Sequence, residues 1–368
     1  MGWTTLAYEA DFKEVLMFRP DPRFGIAPVA ALAAVLAIAL PTSSFASGGV
    51  VEIQEWKVPY DGRPRDPFAA GEDEIWFVGQ ANGYLGRLTP SSGDFFRRDL
   101  GEGAGPHNLI VDSDGIVWFA GNRNAYIGRY DPKTDNIERI EMPDPKAKDP
   151  HTLVFDGDGS HIWFTVQHGN FVGRLRLADR QVDLIPVPTK GARPYGIKVG
   201  PDGTPWVALF GTNKLASIDP ESLGLTEYDI PEAEAQPRRL EITDDGRVWY
   251  SDYTRGKLGR FDPKTKAFAE WDLPAGDKSL PYGTALDGAG RIWVAETGPQ
   301  PNQIVEFDTE AERIISTTSV PSGGGTVRHM MFDPKSDLIW FGADSGTIGK
   351  VQAAKPYAAK SDGAKADE

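Results

Sequence analysis

The chain has 368 residues, 40% of them hydrophobic, which is enough for a sizeable core. Its formal net charge of −14 argues against non-specific nucleic-acid binding, which needs a basic surface. With no cysteine, neither a disulfide framework nor a thiolate metal site is available, and compartment must be argued from targeting.

The chain opens with an apolar, Ala-rich run from Ile26 to Leu40, preceded by Arg19 and Arg23 and followed by Ser44-Phe45-Ala46. The run is short for a span and ends in an A-x-A-like pattern, so residues 1–46 read as a secretory signal peptide cleaved after Ala46. An N-terminal membrane anchor is the alternative. Glu9, Asp11 and Glu14 suit a signal n-region poorly, so Met17 is a second candidate start. The expected location is periplasmic or secreted, with no stable membrane span after cleavage.

From residue 47 to 354 the chain repeats itself. Tryptophans recur at Trp76, Trp118, Trp163, Trp206, Trp249, Trp293 and Trp340, a period of about 44 residues. Six of these units carry a hairpin turn before the Trp: DSDG, DGDGS, GPDG, TDDG, DGAG and DPKSD. These turns lack the remaining ligand positions of a calcium loop. A Gly-Arg strand follows in most units (LGRL, IGRY, VGRL, LGRF), then an amphipathic strand ending in proline, as in NIERIEMP. Four short strands per unit predict an all-β fold, a seven-bladed β-propeller of four-stranded antiparallel blades. The last unit has no closing strand, whereas VVEIQEWKVP at residues 50–59 matches one, so the N-terminal strand is expected to complete the last blade. The repeat tryptophans read as core residues between blades. Residues 355–368 are poor in large apolar side chains and read as a disordered tail.

A site must come from residues that the repeat does not require. Eleven residues before each Trp, twelve in the third unit, stand Arg65, His107, His151, Tyr195, Arg238, Tyr282 and His329. Each begins the first strand of its blade, nearest the axis, so the seven are expected to converge on one mouth of the channel. The loop after each Trp opens on the same face and brings Gln80, Asn122, Gln167, Phe210, Tyr253, Thr297 and Asp344, with Asp252 and Glu296 one residue earlier. Imidazoles and carboxylates on one rim suit a hard divalent cation and a general base. His161 lies in a turn, and His168 in the third blade's loop is near enough to join the rim.

The unit P-H/Y-x-I/L, D-G-x-I/V-W-F, I/L-G-R, E-Y-x-I/L-P resembles that of the streptogramin lyase (virginiamycin B lyase) family over residues 50–352. The resemblance implies a seven-bladed propeller that opens cyclic depsipeptides by β-elimination with magnesium. The family's site uses a His from a Pro-His pair, an acid-Pro-His motif in the next blade, and a Glu after that blade's Trp. The second His acts as base and the other groups help hold the metal. Two placements stay open. By motif, Pro106-His107 and Asp149-Pro150-His151 supply the set, with Gln167 in place of the loop carboxylate. By position in the chain, His329 and Asp344 supply it, with Tyr282 and Val327 where the family has His and an acid. The resemblance thus implies His151 and His329 as catalytic candidates, and His107, Asp149 and Asp344 as ligands of Mg2+. Arg65, Tyr195, Arg238, Tyr282, Gln167 and Glu296 form the substrate-binding rim, and the expected partner is a small molecule or cyclic peptide at the channel mouth of a monomer. A non-catalytic periplasmic propeller that binds a ligand or partner is the second reading. A metal-dependent lactonase is the third, and the count of seven units argues against it.

Overall fold

The computed structural model describes residues 51–352. The signal peptide expected at 1–46 and the tail expected at 355–368 lie outside the described residues. Seven four-stranded antiparallel sheets form the blades of a propeller, and the only helical elements described are single 3-10 turns at Asn122–Asn124 and Gly276–Lys278. Among the described residues no helix is long and apolar enough to cross a membrane. The innermost strands are Pro64–Gly71, Leu109–Val111, Pro150–Phe155, Pro194–Val199, Pro237–Ile242, Pro281–Leu286 and Val327–Asp333. The N-terminal strand Glu52–Lys57 pairs with Thr347–Gln352 as the outer strand of the seventh blade, as the sequence predicts. Trp56 stacks there on Trp340 with ring centroids 5.7 Å apart.

The period of the sequence is the period of this packing. Each repeat tryptophan is buried against the blade that follows it. Trp118 packs with Leu153 and Phe164 of the third blade, Trp293 with Ile339 and Phe341 of the seventh, and Trp340 with Ile75 and Phe77 of the first. In two blades a hairpin aspartate serves the same packing: Asp112 accepts the indole N–H of Trp118 at 2.8 Å and the backbone N–H of Ile116 at 2.9 Å, and Asp287 accepts the indole N–H of Trp293 at 2.9 Å. The turn is therefore complete without an ion. The arginine of the Gly-Arg strand lies over the Trp of its own blade, at 5.4 to 5.9 Å for Arg87, Arg129, Arg174 and Arg260.

The glycine of that strand has a steric cause. Phe119 faces Gly128 across the ladder, and a Cβ on Gly128 would lie 2.1 Å from the ring. Phe77–Gly86, Phe164–Gly173, Tyr250–Gly259 and Phe341–Gly349 repeat the arrangement. In the fourth and sixth blades the aromatic is replaced by Val207 and Val294, and the glycine gives way to Ala216 and Val305. Gly128→Ala should therefore cost about 1–3 kcal/mol through overpacking. Combined with Phe119→Val, the pair should be less destabilised in urea unfolding than the sum of the two single variants. Strictly additive costs would show that ring and glycine do not share one space.

Candidate functional site

The inner strands do not enter the sheet in simple register. Pairing with the second strand slips between Pro150 and Leu153, Pro194 and Ile197, Pro237 and Leu240, and Pro281 and Thr284, with the same slip after Arg65 and Val327. A bulge of this kind lets two successive residues aim at the axis. Its freed backbone N–H groups are taken up locally: Thr165 Oγ1 accepts from Thr152 at 3.3 Å and Ser251 Oγ accepts from Arg239 at 3.1 Å. The result is two stacked tiers of side chains rather than one ring.

The upper tier is Arg65, His107, His151, Tyr195, Arg238, Tyr282 and Arg328. Arg328 stands where the sequence reading put His329. The seventh blade's DPKSD hairpin has the length of the third blade's DGDGS hairpin: six residues separate Phe332 from its partner Ile339, as six separate Phe155 from Ile162. Counting back from Trp340 therefore needs twelve residues, not eleven, and His329 drops to the lower tier beside Asp66, Asn108, Thr152 and Arg239. Gly196 and Gly283 complete that tier. A Cβ on Gly196 would meet the backbone of Arg238 at 2.8 Å, so glycine there lets adjacent inner strands close up.

The two histidines favoured by motif do meet. The rings of His107 and His151 lie 3.4 Å apart between centroids, and that of His151 lies 4.1 Å from Tyr195. The Tyr195 hydroxyl bonds that of Tyr282. Arg65, His107, His151, Tyr195 and Tyr282 are each no more than 5% exposed. The upper tier thus closes the channel at this end instead of leaving it open. The tier's own Arg238 is half-buried on the rim side, with its guanidinium 3.5 Å from the centroid of Tyr282, 4.2 Å from Tyr253 and 4.6 Å from Phe210.

The lower tier is a hydrogen-bonded network across the axis. Asp66 is fully buried, with Arg65 Nε at 2.8 Å, Asn108 Nδ2 at 3.0 Å and Arg239 at 3.5 Å. Its φ of 49° is a left-handed conformation, held by bonds to both carboxylate oxygens. Asn108 Oδ1 accepts from Leu153 N at 2.8 Å, and Arg239 donates to Thr152 Oγ1 at 3.1 Å. Thr152 in turn bonds His151 Nδ1 at 2.8 Å, joining the tiers. Asp66, Asn108, Arg239 and Arg328 were all missed in the sequence. A reading of Pro-x-x as a bulge, with both following residues facing inward, would have found the first three.

The electrostatics follow from burial and from arginine. Burial pushes His107 and His151 well below the usual imidazole range, helped by Arg65 and Arg239. His329 is brought down to about 3 by burial, with Asp66 opposing and Arg239 adding to the fall. Burial by itself would raise the Asp66 carboxyl, but Arg65, His329 and Arg239 outweigh it and hold it far below the usual range. Burial likewise opposes ionisation of Tyr282, yet Arg238, Arg65, Arg239 and Arg328 bring it down to about 7, while its partner Tyr195 is pushed up.

The oxygens expected to hold magnesium are otherwise engaged. The Asp149 carboxylate accepts the N–H groups of His168 at 2.8 Å and Gly169 at 3.1 Å, and the His168 ring lies 2.6 Å away. Asp344 takes two guanidinium nitrogens of Arg328, at 2.6 and 3.1 Å. Glu296, expected on the substrate-binding rim, accepts Ala275 N at 2.8 Å through one oxygen, while its buried Oε2 has no partner. Gln167 is buried in the third blade's loop, and His161 is tied to Asp156 at 2.9 Å within its turn. Among the described residues no three His, Cys, Asp or Glu groups come together as a metal site. A hard cation needs several free oxygens together, and the unpartnered Oε2 of Glu296 stands alone, so the residues present do not fit magnesium.

Two stability predictions follow from these charges. Asp66→Asn leaves two buried guanidiniums without their carboxylate and should cost about 3–5 kcal/mol at pH 7. Because the folded carboxyl titrates lower than the unfolded one, Asp66's contribution is present above about pH 4 and is lost as pH falls below it. The gap between variant and wild type in urea unfolding should therefore narrow at pH 3; an unchanged gap would contradict the pairing. The three neutral histidines also titrate lower when folded, so their contribution is present above about pH 6.5 and is lost as pH falls below it. His151→Gln should flatten the fall in unfolding midpoint between pH 7 and pH 5.

The family model described as Virginiamycin B lyase family matches residues 46–307 and 180–356. Among solved structures, a streptogramin B lyase is 24% identical with a TM-score of 0.74, covering 82% of this chain and 98% of its own. A catalytically inactive virginiamycin B lyase from Staphylococcus aureus, solved with quinupristin, is 24% identical at the same TM-score, covering 82% of this chain and 99% of its own. Hydrazine synthase of Kuenenia stuttgartiensis is 13% identical with a TM-score of 0.68, covering 81% of this chain and 97% of its own. These likenesses show the propeller fold. No curated protein matches the sequence.

Proposed function

Because the chain belongs to the virginiamycin B lyase family, we propose that it serves as a ligand-binding propeller of that family, holding an anionic small molecule or cyclic peptide at the arginine rim. One observation carries this reading: the charge balance where the upper tier meets the rim. The guanidiniums of Arg63, Arg65, Arg193, Arg238 and Arg328 meet there, and the carboxylates paired with them are Asp66 and Asp344. Asp66 is spent inside and Asp344 is shared by Arg328 and Arg63. Arg238 has no carboxylate partner among the described residues; it rests on aromatic faces and gives one hydrogen bond, to Tyr195 at 3.4 Å. A partly desolvated guanidinium of this kind is matched by a carboxylate or phosphate. The proposed place of action is the periplasm or the cell exterior, on the strength of the leader pattern at residues 1–46.

Elimination is the second reading, and one feature favours it. His151 is held through Nδ1 by Thr152, stays neutral, and has no partner at Nε2. Neutral and with Nε2 free, the ring can accept a proton, as a base weakened by the burial that lowers its pKa. Nε2 would take the proton from the carbon beside a carbonyl, the β C–O bond would break, and the guanidiniums would meet the charge on the carbonyl oxygen. The His107 ring and the closed tier stand between Nε2 and the rim, so this reading requires the tier to open.

Calorimetry with citrate as an acidic probe tests the first reading. Wild type should bind it in a salt-sensitive way, and Arg238→Gln or Arg328→Gln should each weaken binding about 10-fold, the equivalent of roughly 1.4 kcal/mol. Absent binding, or binding indifferent to both substitutions, overturns it. Ring opening of a streptogramin B depsipeptide without gain of mass, abolished in His151→Ala, would establish elimination instead.

A further inference from the structure

Below the lower tier the channel opens again. A cavity of about 450 Å³ runs along the axis, walled by the inner strands of all seven blades. Its volume falls within the range of small-molecule pockets. Its walls are mainly apolar, with Phe68, Ile110, Phe155, Met331 and Phe332 among them, and it reaches the exposed hairpin at Pro334. The closed tier of histidines and tyrosines separates it from the arginine rim.

The blind end of this cavity is charged in a specific way. Arg239 and His329 line it together with Asn108 and Thr152. Both amide atoms of Asn108 are bonded, to Asp66 and to Leu153 N, and the Thr152 hydroxyl meets Arg239 and His151. Arg239 is 3% exposed, and its Nε has no hydrogen-bond partner; neither has Nδ1 of His329. Arg239 must share the single carboxylate of Asp66 with Arg65, which holds it more closely, at 2.8 against 3.5 Å. One positive charge at the blind end is therefore unmatched. The acid on the cavity wall does not supply the balance: Glu241 is neutralised by Lys198 at 2.9 Å and accepts from Thr284 at 2.9 Å.

We propose that this end of the channel is a second ligand site, for an aliphatic monocarboxylate whose head meets Arg239 and His329 and whose chain fills the apolar channel. The carboxylate supplies the missing negative charge and accepts from the unpartnered Arg239 N–H. The hydrocarbon removes the apolar wall from water, at about 25 cal/mol per Å² buried. A neutral ligand of the same shape gains the second term and loses the first, because it leaves the guanidinium unmatched.

Calorimetry on the whole chain with decanoate and decanol distinguishes these terms. Decanoate should bind at least 10-fold more tightly than decanol, and Arg239→Gln should bring the two to equal affinity. Met331→Trp, which fills the channel without touching the Asp66 network, should abolish binding of both while leaving citrate binding at the rim unchanged. This variant keeps the test decisive where Arg239→Gln does not fold. Equal binding of decanol and decanoate by wild type, no binding of either, or decanoate binding retained in Met331→Trp overturns the proposal. None of these outcomes depends on whether the rim binds an anion.

Discussion

No blade of this propeller buries its tryptophan alone; the next blade completes the burial. Trp118 needs Leu153 and Phe164, Trp293 needs Ile339 and Phe341, and Trp340 needs Ile75 and Phe77. The apolar face of each sheet is therefore completed only by a neighbour, and the last neighbour is the first blade. The rest of the scaffold answers to this requirement. In the second blade the hairpin aspartate fixes the indole, the arginine of the third strand covers it, and the aromatic beside it dictates glycine opposite. Closure brings seven inner strands around one axis, where their bulged first residues must either repel one another or be balanced.

The balance found there is unusual for a metal centre. Cations outnumber anions, the imidazoles are kept neutral by burial, and the tyrosine pair shares a hydrogen bond under four guanidiniums. The carboxylates that a hard cation would use cap loops or pair with arginine instead. What the closed tier does is divide the channel into an arginine-rich rim and an apolar cavity. The family's fold is retained, and the surplus of arginine at its axis is what the proposed anion binding rests on.

Repetition made the scaffold legible. Seven tryptophans at a nearly constant period, a missing final strand and a spare one at the other end lead to the closed ring without any structural information. The axis was only partly legible, for physical reasons. His107 and His151 follow prolines in consecutive blades, and the structure brings their rings together. Arg328 was hidden by a hairpin one residue longer than most, so that a fixed count landed on His329. Asp66, Asn108 and Arg239 were hidden by the bulge, because ordinary strand alternation sends the residue after an inward-facing one outward. Asp149 looked like a ligand because of its place before Pro150-His151. Its carboxylate instead caps the turn at His168 and Gly169, a local demand that the motif does not reveal.

The pairing of Glu52–Lys57 with Thr347–Gln352 also sets the order of events in the life of the chain. The strand that leaves the ribosome first among these has no sheet to join until the strand that leaves last has been made. Until then Trp340 lacks the stacking of Trp56, and the first and seventh blades each present an uncovered face. Contacts this distant in sequence form slowly. The polypeptide thus spends its synthesis as an unsealed row of blades, and the sealed ring is the final product rather than an early intermediate.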